Sequence, residues 1–408
     1  MTVQHPCCAG FDVHQQTIVV CVRRQQEAAV TYLEETFGTT TRDLCALGDW
    51  LIAQGCTHAV LEATGVYWKP VWYVLEARLT LRLAYAAAVR QLTGRKTDAS
   101  DAHWLADLLA HGLIHPSYVP PPAIRELRDL TRTRHQLVRE VAQHTQRIQK
   151  VLEDASIKLV TVVTDVLGVS GRAVIRRLIA GERHAARLAD VVDPRVRAGR
   201  AALEAAFDGR CTVHHAFLLQ LHMDQIEALE GTIARVEARI ADQVVPFQAT
   251  LERLMTIPGI KTTVARVLLA EIGPDVSRFP TAGHMVAWAH LCARRDESAG
   301  KRRSTRILPG HVWLKTTLIQ AAWAAVKRRD SYLHAQFVRL RARRGAKKAI
   351  VAVAASMLVA VYHMLQREVT YQDPGADYFT RRDRDRRARY LQRELQALGY
   401  EVALHKVA

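Results

Sequence analysis

Three consecutive prolines, Pro120-Pro121-Pro122, divide this chain more firmly than any other feature. Proline lacks the amide donor that helices and sheet ladders use, and it pushes the residue before it out of the helical region. No strand or helix therefore runs through the triplet, although its last proline suits the first turn of a new helix. Before the break, Ala9–Val13 and Thr17–Arg23 are short β-rich runs separated by a polar His14-Gln15-Gln16 turn, the pattern of a hairpin. His58–Glu62 and Leu81–Tyr85 are two more apolar runs with helical patterns between and after them. The first part of the chain therefore reads as α/β, a mixed sheet covered by helices.

After the break the period changes. Leu130, Leu137, Val141, Ile148 and Val151 follow three-four spacing, interrupted by the polar Arg134 and His144. Ile226, Leu229, Ile233, Val236 and Ile240 repeat the pattern more cleanly beyond a charged, Ala- and Arg-rich stretch. Two such segments predict an antiparallel helical hairpin used for dimerisation, or else a bundle packed on its own domain. Pro246 closes this region, and a third, mostly helical one runs to about Asp373. The tail carries Arg381, Arg382, Arg384, Arg386, Arg387, Arg389 and Arg393, moderated by Asp383 and Asp385; a solvated helix face and a nucleic-acid arm both fit it.

Across 408 residues, 57 Lys and Arg stand against 40 Asp and Glu, a net charge of +17. The 49% hydrophobic and 24% charged content excludes wholesale disorder and fibrous repeats, so the charge points to a polyanionic partner, nucleic acid or an anionic membrane. The longest apolar run, Ala349 to Leu365, spans ~25 Å as a helix, short of the ~30 Å hydrocarbon core, and reads as a buried helix of a soluble protein. The seven cysteines are odd in number and widely spaced, without a C-x-x-C, which favours a reducing compartment over disulfides or zinc; the cytoplasm is the expected location.

Four acids stand out by position. Asp12 lies inside an apolar strand, Glu62 ends another, and Asp98 and Asp101 lie three apart at the start of a helix. A carboxylate within an apolar strand is costly unless paired or bound to a cation. Four converging carboxylates suit Mg²⁺, which prefers oxygen ligands, and such sites serve phosphoryl transfer. Singly, Asp98 also fits a helix N-cap with Asp101 at N3, and Glu62 a satisfied strand end.

Further on, Thr256-Ile257-Pro258-Gly259-Ile260 precedes an amphipathic run, as in a helix-hairpin-helix, where Gly259, Lys261 and a helix N-terminus approach a phosphate; a plain helix connector has the same pattern. The stretch Asp296 to Arg306 sets Ser298 in a small-residue loop among Lys301, Arg302, Arg303 and Arg306. A hydroxyl there can meet a phosphate whose nonbridging oxygens the guanidinium groups hold; a phosphate-positioning or surface loop is the plainer reading, and Ser304 competes as nucleophile.

Together these residues resemble one insertion-sequence family. Gly10-Phe11-Asp12-Val13, Glu62-Ala63-Thr64-Gly65-Val66-Tyr67-Trp68 and Gly94-Arg95-Lys96-Thr97-Asp98-Ala99-Ser100-Asp101-Ala102 are similar to the first domain of the DEDD transposases related to the Piv DNA invertase, the bridge-RNA-guided recombinases. The Thr256-to-Gly273 segment and Glu297-Ser298-Ala299-Gly300-Lys301-Arg302 resemble that family's C-terminal domain, although His290-Leu291-Cys292-Ala293 replaces its usual Gly-Leu-Cys-Pro.

The resemblance implies a RuvC-like (ribonuclease-H-like) domain over 1–122, a coiled-coil dimerisation hairpin with an insert over 123–245, a mostly helical transposase domain over 246–375 and a basic tail over 376–408. It implies Mg²⁺ on Asp12, Glu62, Asp98 and Asp101. Arg95 and Lys96 would meet nucleic acid, and Ser298 would be a nucleophile forming a phosphoserine link to DNA, acids and serine coming from different protomers. Donor and target DNA, a structured guide RNA and a homodimer assembling to a tetramer are the implied partners, with no membrane. A RuvC-like nuclease or resolvase without a covalent intermediate is the competing enzymatic reading. A nucleic-acid-binding architectural protein is the non-enzymatic one.

Overall fold

The computed structural model describes residues 2–27, 29–63, 65–85, 101–114, 116–293, 296–298, 301–304, 306–307, 310 and 312–403. Side chains are not described for 296–298, 301–303 and 382–387. The chain divides into two compact units, Met1–Pro120 and Pro121–Ala408.

The first unit is built on a six-stranded mixed sheet. Its strands are β1 (Cys7–Val13), β2 (Thr17–Gln26), β3 (Ala29–Gly38), β4 (His58–Glu62), β5 (Thr80–Ala84) and β6 (Pro116–Ser117), in the order β3-β2-β1-β4-β5-β6. β1 and β2 form the expected hairpin, and β1, β4 and β5 run parallel at the centre. β3 has no signature in the sequence. Its residues 29–36 are exposed on both faces, so no apolar alternation marks it; only its pairing with β2 along the full length makes it a strand. Helices α1 (Thr41–Ala53) and α2 (Trp68–Leu75) cover one face through Leu44, Leu47, Leu51, Val71 and Leu75, against Phe11, Ile18, Val20 and Leu61. Helix α3 (Asp101–Ala110) covers the other face, with Leu105 and Leu109 packed on Cys8 and Val60.

The second unit is mostly helical. Helix α4 (Pro122–Asp154) starts on the last proline of the triplet and packs against α9 (Val213–Gln243). Their antiparallel register is fixed by cross-helix pairs: Gln243 with Glu126 at 2.9 Å, Arg134 with Glu237 at 2.6 Å, and His215 with Asp154 at 2.9 Å. Between them the Ala- and Arg-rich stretch folds into four short helices, α5 (Leu159–Val162), α6 (Val169–Ile179), α7 (Ala185–Ala189) and α8 (Arg200–Phe207), with a core of their own around Val174, Ile175, Leu178 and Phe207. That core holds one end of the hairpin through Ile148, Leu152 and Ile226; Ile124, Leu127 and Ile240 anchor the other end. Midway, Leu137, Val141, Leu229 and Ile233 are only half-buried.

The remaining helices are α10 (Gln248–Met255), α11 (Thr262–Ile272), α12 (Ala282–Trp288), α13 (Val312–Ala325), α14 (Tyr332–Arg344), α15 (Ala346–Arg367) and α16 (Tyr378–Ala397). At the α4–α11 contact the buried Glu271 accepts from Arg132 Nε at 2.7 Å and Nη2 at 2.8 Å, while Arg128 donates to the carbonyls of Ala270 and Glu271. Helix α15 extends beyond the apolar run and, by length and composition, is long enough to cross a bilayer. Its Ile350, Val353, Met357, Leu358 and Val361 instead fill the core of this unit. The arginine-rich tail is helical in α16, which is tied to α14 by stacking of Tyr332 on Phe379. All seven cysteines are free thiols.

Candidate nucleic-acid-processing site

Register and alternation fix where the first-unit acids lie. β1 and β4 pair in parallel up to Phe11 beside Leu61, so Asp12 and Glu62 follow side by side at the carboxyl ends of adjacent strands. Side chains alternate across a strand. Phe11 and Leu61 belong to the core beneath α1 and α2, whereas Cys8 and Val60 pack under α3. Asp12 and Glu62 share the parity of Cys8 and Val60, and thus the α3 face.

Helix α3 runs antiparallel to β1. Its last carbonyl, of Ala110, accepts from the amides of Gln4 and His5 just before β1, and Cys8 Sγ meets the carbonyl of Ala106 at 3.5 Å. Its first residue, Asp101, is consequently at the Asp12 end. The close approach depends on Gly10: a Cβ there would lie 2.1 Å from the carbonyl oxygen of Ala102 and 2.5 Å from the amide nitrogen of Ala106. Both obstacles are backbone, so a side chain cannot be relieved by a rotamer change. Gly10→Ala is expected to cost the first unit about 2–3 kcal/mol by forcing α3 off the sheet. Denaturant melts of the variant check this, and a loss below about 0.5 kcal/mol would show that the gap relaxes.

An ion pair buried on its arginine side also seats α3. Arg23, on β2 and 3% exposed, donates to Asp107 Oδ1 at 2.9 Å, and Tyr32 Oη donates to the same oxygen at 2.8 Å. Burial first, and then the Asp107 carboxylate, hold the Tyr32 phenol above its ordinary value. His103 stacks on Tyr32 with ring centroids 3.7 Å apart. The sequence reading overlooked this cluster, although an arginine ending an apolar strand was its visible mark.

Thus Asp12, Glu62 and Asp101 share one face and one end of the sheet. Asp98, Arg95 and Lys96 lie outside the described residues. Asp12 is partly exposed, and its Oδ2 is 3.2 Å from His14 Nε2. His14, the first residue after β1, is a further neighbour, which the sequence marks only as part of the polar turn. Among the described residues no three His, Cys, Asp or Glu side chains form a group that could hold a metal ion. The donor set itself, carboxylate oxygens at a partly open sheet end, suits a hard divalent cation better than a soft one.

In the second unit, the serine stretch departs from the expected loop. Asp296–Ser298 and Lys301–Ser304 are short antiparallel strands, β7 and β8, with Ser298 paired to Lys301 and a further bridge between Ala293 and Ile307. Backbone pairing of this kind is a tertiary outcome that a small-residue, Arg-rich composition conceals. The side chains of Ser298, Lys301, Arg302 and Arg303 lie outside the described residues; Arg306 is exposed. Gly259 has a packing role that the sequence reading did not foresee. At φ +85° its open side faces helix α13, where a Cβ would come within 2.3 Å of the Ala321 carbonyl oxygen. The turn therefore seats one helix on another. The exposed Lys261 then begins α11, whose N-terminus has no side-chain cap.

Two family models match the chain. One, described as Transposase and built on the DEDD transposases of IS110 elements, matches residues 9–157; the other, described as Transposase IS116/IS110/IS902 family, matches residues 251–339. The chain belongs to the IS110 family of insertion-sequence transposases. No curated protein matches it. As an IS110-family transposase it is a DNA-transposing enzyme, and DNA is its substrate. The first match includes Asp12, Glu62, Asp98 and Asp101, and the DEDD character of that model goes with divalent-metal use. The second includes Gly259, Lys261, Ser298 and Arg306. The α5–α8 insert and α16 lie outside both matches.

Proposed function

We propose that this transposase is an RNA-guided recombinase that cuts and rejoins DNA through a serine-linked intermediate. The observation that carries this reading is the shared sheet end of Asp12, Glu62 and Asp101, with Asp98 as the fourth acid. The central order of parallel strands with an antiparallel hairpin beside them supports a RuvC-like domain. In this reading the four carboxylates hold Mg²⁺, which when bound stabilises the charge that builds on a reacting phosphodiester. In this reading Ser298 Oγ gives up its proton and bonds to the phosphorus as the P–O bond to a deoxyribose oxygen breaks. That oxygen leaves as a protonated hydroxyl. The phosphoserine ester replaces the phosphodiester one for one, so the hydroxyl can later rejoin by the reverse step. Lys301, Arg302, Arg303 and Arg306 meet the nonbridging oxygens, and Lys261 with the uncapped start of α11 receives a backbone phosphate.

The net charge of +17 supports simultaneous binding of DNA and a structured guide RNA, whose base pairing selects the sites. The half-buried middle of the α4–α9 pair supports a coiled-coil contact with a second copy, and a tetramer from two dimers. This enzyme would work in the cytoplasm.

The test is covalent capture. Purified protein is incubated with end-labelled DNA, its element-end RNA and Mg²⁺, then run on a denaturing gel. A protease-sensitive DNA adduct is expected, and it should disappear in Ser298→Ala. If Ser298→Ala still nicks DNA at the same positions, the chain is a RuvC-like nuclease or resolvase. If Ser304→Ala alone removes the adduct, the nucleophile is Ser304.

A further inference from the structure

Two thiols meet at the amino end of the first unit's sheet, the end opposite Asp12 and Glu62. Cys7 begins β1, and its Sγ is 3.6 Å from that of Cys56. Cys56 reaches this place through the turn that closes α1. Gly55, at φ +76°, reverses the chain, and the Cys56 amide donates to the Leu51 carbonyl at 3.0 Å. The pairing of Cys8 with His58 sets Cys7 opposite Thr57, one residue from Cys56. With strands ~4.8 Å apart and a rise of ~3.3 Å per residue, the two Cα atoms are roughly 6 Å apart, the usual span of a disulfide.

The contact is selective. Alternation turns Cys8 to the other face of β1, where its Sγ meets the Ala106 carbonyl under α3. Among the described residues no other pair of cysteine sulfurs makes such a contact.

The two sulfurs have different surroundings. Cys7 is partly exposed, whereas Cys56 is only 4% exposed. Burial first, and then Cys7, hold the Cys56 thiol above its ordinary value, so it keeps its proton. Arg24 pairs with Cys7 across the β1–β2 hairpin, and its Nη2 donates to the Gln54 carbonyl at 2.5 Å. The same carbonyl accepts from Cys7 Sγ at 3.4 Å. A guanidinium placed here favours the negative charge that a sulfur carries when it reacts.

We propose that Cys7 and Cys56 are a redox-responsive dithiol that a peroxide converts to a disulfide, clamping the start of β1 to the start of β4. Hydrogen peroxide transfers one oxygen to the Cys7 thiol, which becomes a sulfenic acid as one water leaves. The Cys56 sulfur then attacks the Cys7 sulfur. An S–S bond forms, the S–O bond breaks, and the hydroxyl departs with the Cys56 proton as a second water. The two thiols together lose two electrons, and the peroxide gains them. Closing from 3.6 Å to the ~2.05 Å of a disulfide bond is a movement of about 1.5 Å, within reach of side-chain rotation. The link spans 49 positions of chain and joins the two strands that carry Asp12 and Glu62. It is independent of the serine chemistry.

Thiol mapping on the full chain tests it. Protein treated with hydrogen peroxide is alkylated with iodoacetamide in denaturant, digested and analysed by mass spectrometry without reduction. A Cys7–Cys56 cross-linked peptide is expected, lost again after dithiothreitol, with the exposed Cys292 as the reference for unassisted oxidation. In Cys56→Ser, Cys7 should stop at the sulfenic acid and be trapped by dimedone, and Arg24→Gln should slow that trapping about threefold. In Cys7→Ser no link should form at Cys56. Melting curves of the reduced variants confirm that they are folded. Peroxide should raise the melting temperature of the parent chain by about 5 °C and leave both serine variants unchanged. The proposal is overturned if Cys292 is oxidised while Cys7 and Cys56 are both still alkylated, if Cys7 links to a different cysteine, or if the linked chain melts no higher than the reduced one.

Discussion

Asp12→Asn is expected to reduce Mg²⁺-dependent DNA cleavage by about 10³-fold without unfolding the protein. Asparagine keeps the shape and one oxygen of aspartate but removes its charge, so the loss reports the charge alone. The position explains the size of the effect. Asp12 is the penultimate residue of β1, beside Glu62 and on the face that α3 covers, and Asp101 starts α3 at the same end. The alternative role for Asp12 is its pairing with His14, which is 62% exposed. An ion pair so open to water is worth under about 1 kcal/mol, and its loss cannot produce a thousandfold effect. His14→Ala separates the two roles, because it should change cleavage less than about tenfold. Cleavage of labelled DNA, with and without EDTA, measures both variants. An Asp12→Asn enzyme working within about fivefold of the parent would remove the carboxylate site from the mechanism.

Glu271→Ala is expected to destabilise the second unit by about 3 kcal/mol. Glu271 is 3% exposed, and its two oxygens take the fork of Arg132. Removing it strands the Arg132 guanidinium, whereas Arg128, 3.7 Å from the same carboxylate, keeps its bonds to the carbonyls of Ala270 and Glu271. Arg132 retains 35% exposure, so water recovers part of the loss and the figure stays at the low end for broken buried pairs. The double variant Arg132→Met with Glu271→Leu should recover most of the stability, since replacing both charges removes the desolvation cost together with the attraction. Hydrogen exchange of the α11 amides checks this locally, which matters in a chain of two compact units. Protection in α11 unchanged by Glu271→Ala would mean that the Arg132–Glu271 pair does not hold α11 to α4.

Much of the fold is legible in the residues alone. The strands of the β1–β2 hairpin and β4 follow from β-rich runs and a polar turn, and the long helices α4 and α9 from three-four periodicity after the proline triplet. These signals are local, because period and turn chemistry act within a few residues. Asp12 was conspicuous for the same reason: an acid in an apolar strand violates the local pattern. By contrast, β3 exists only through its partner, and β7 and β8 only through their pairing with each other.

Three matters were decided by tertiary structure alone. Which face Asp12 and Glu62 occupy depends on the parallel register of β1 with β4, and register between strands separated by 44 residues of chain has no local signature. The approach of Asp101 to that face depends on Gly10 admitting the backbone of α3, a contact between residues about 90 positions apart. Gly259, whose turn fits either a phosphate contact or a plain helix connector in sequence, is also required by the close approach of helix α13. A glycine announces that something comes close; only the packed structure determines whether that neighbour is a ligand or the chain itself.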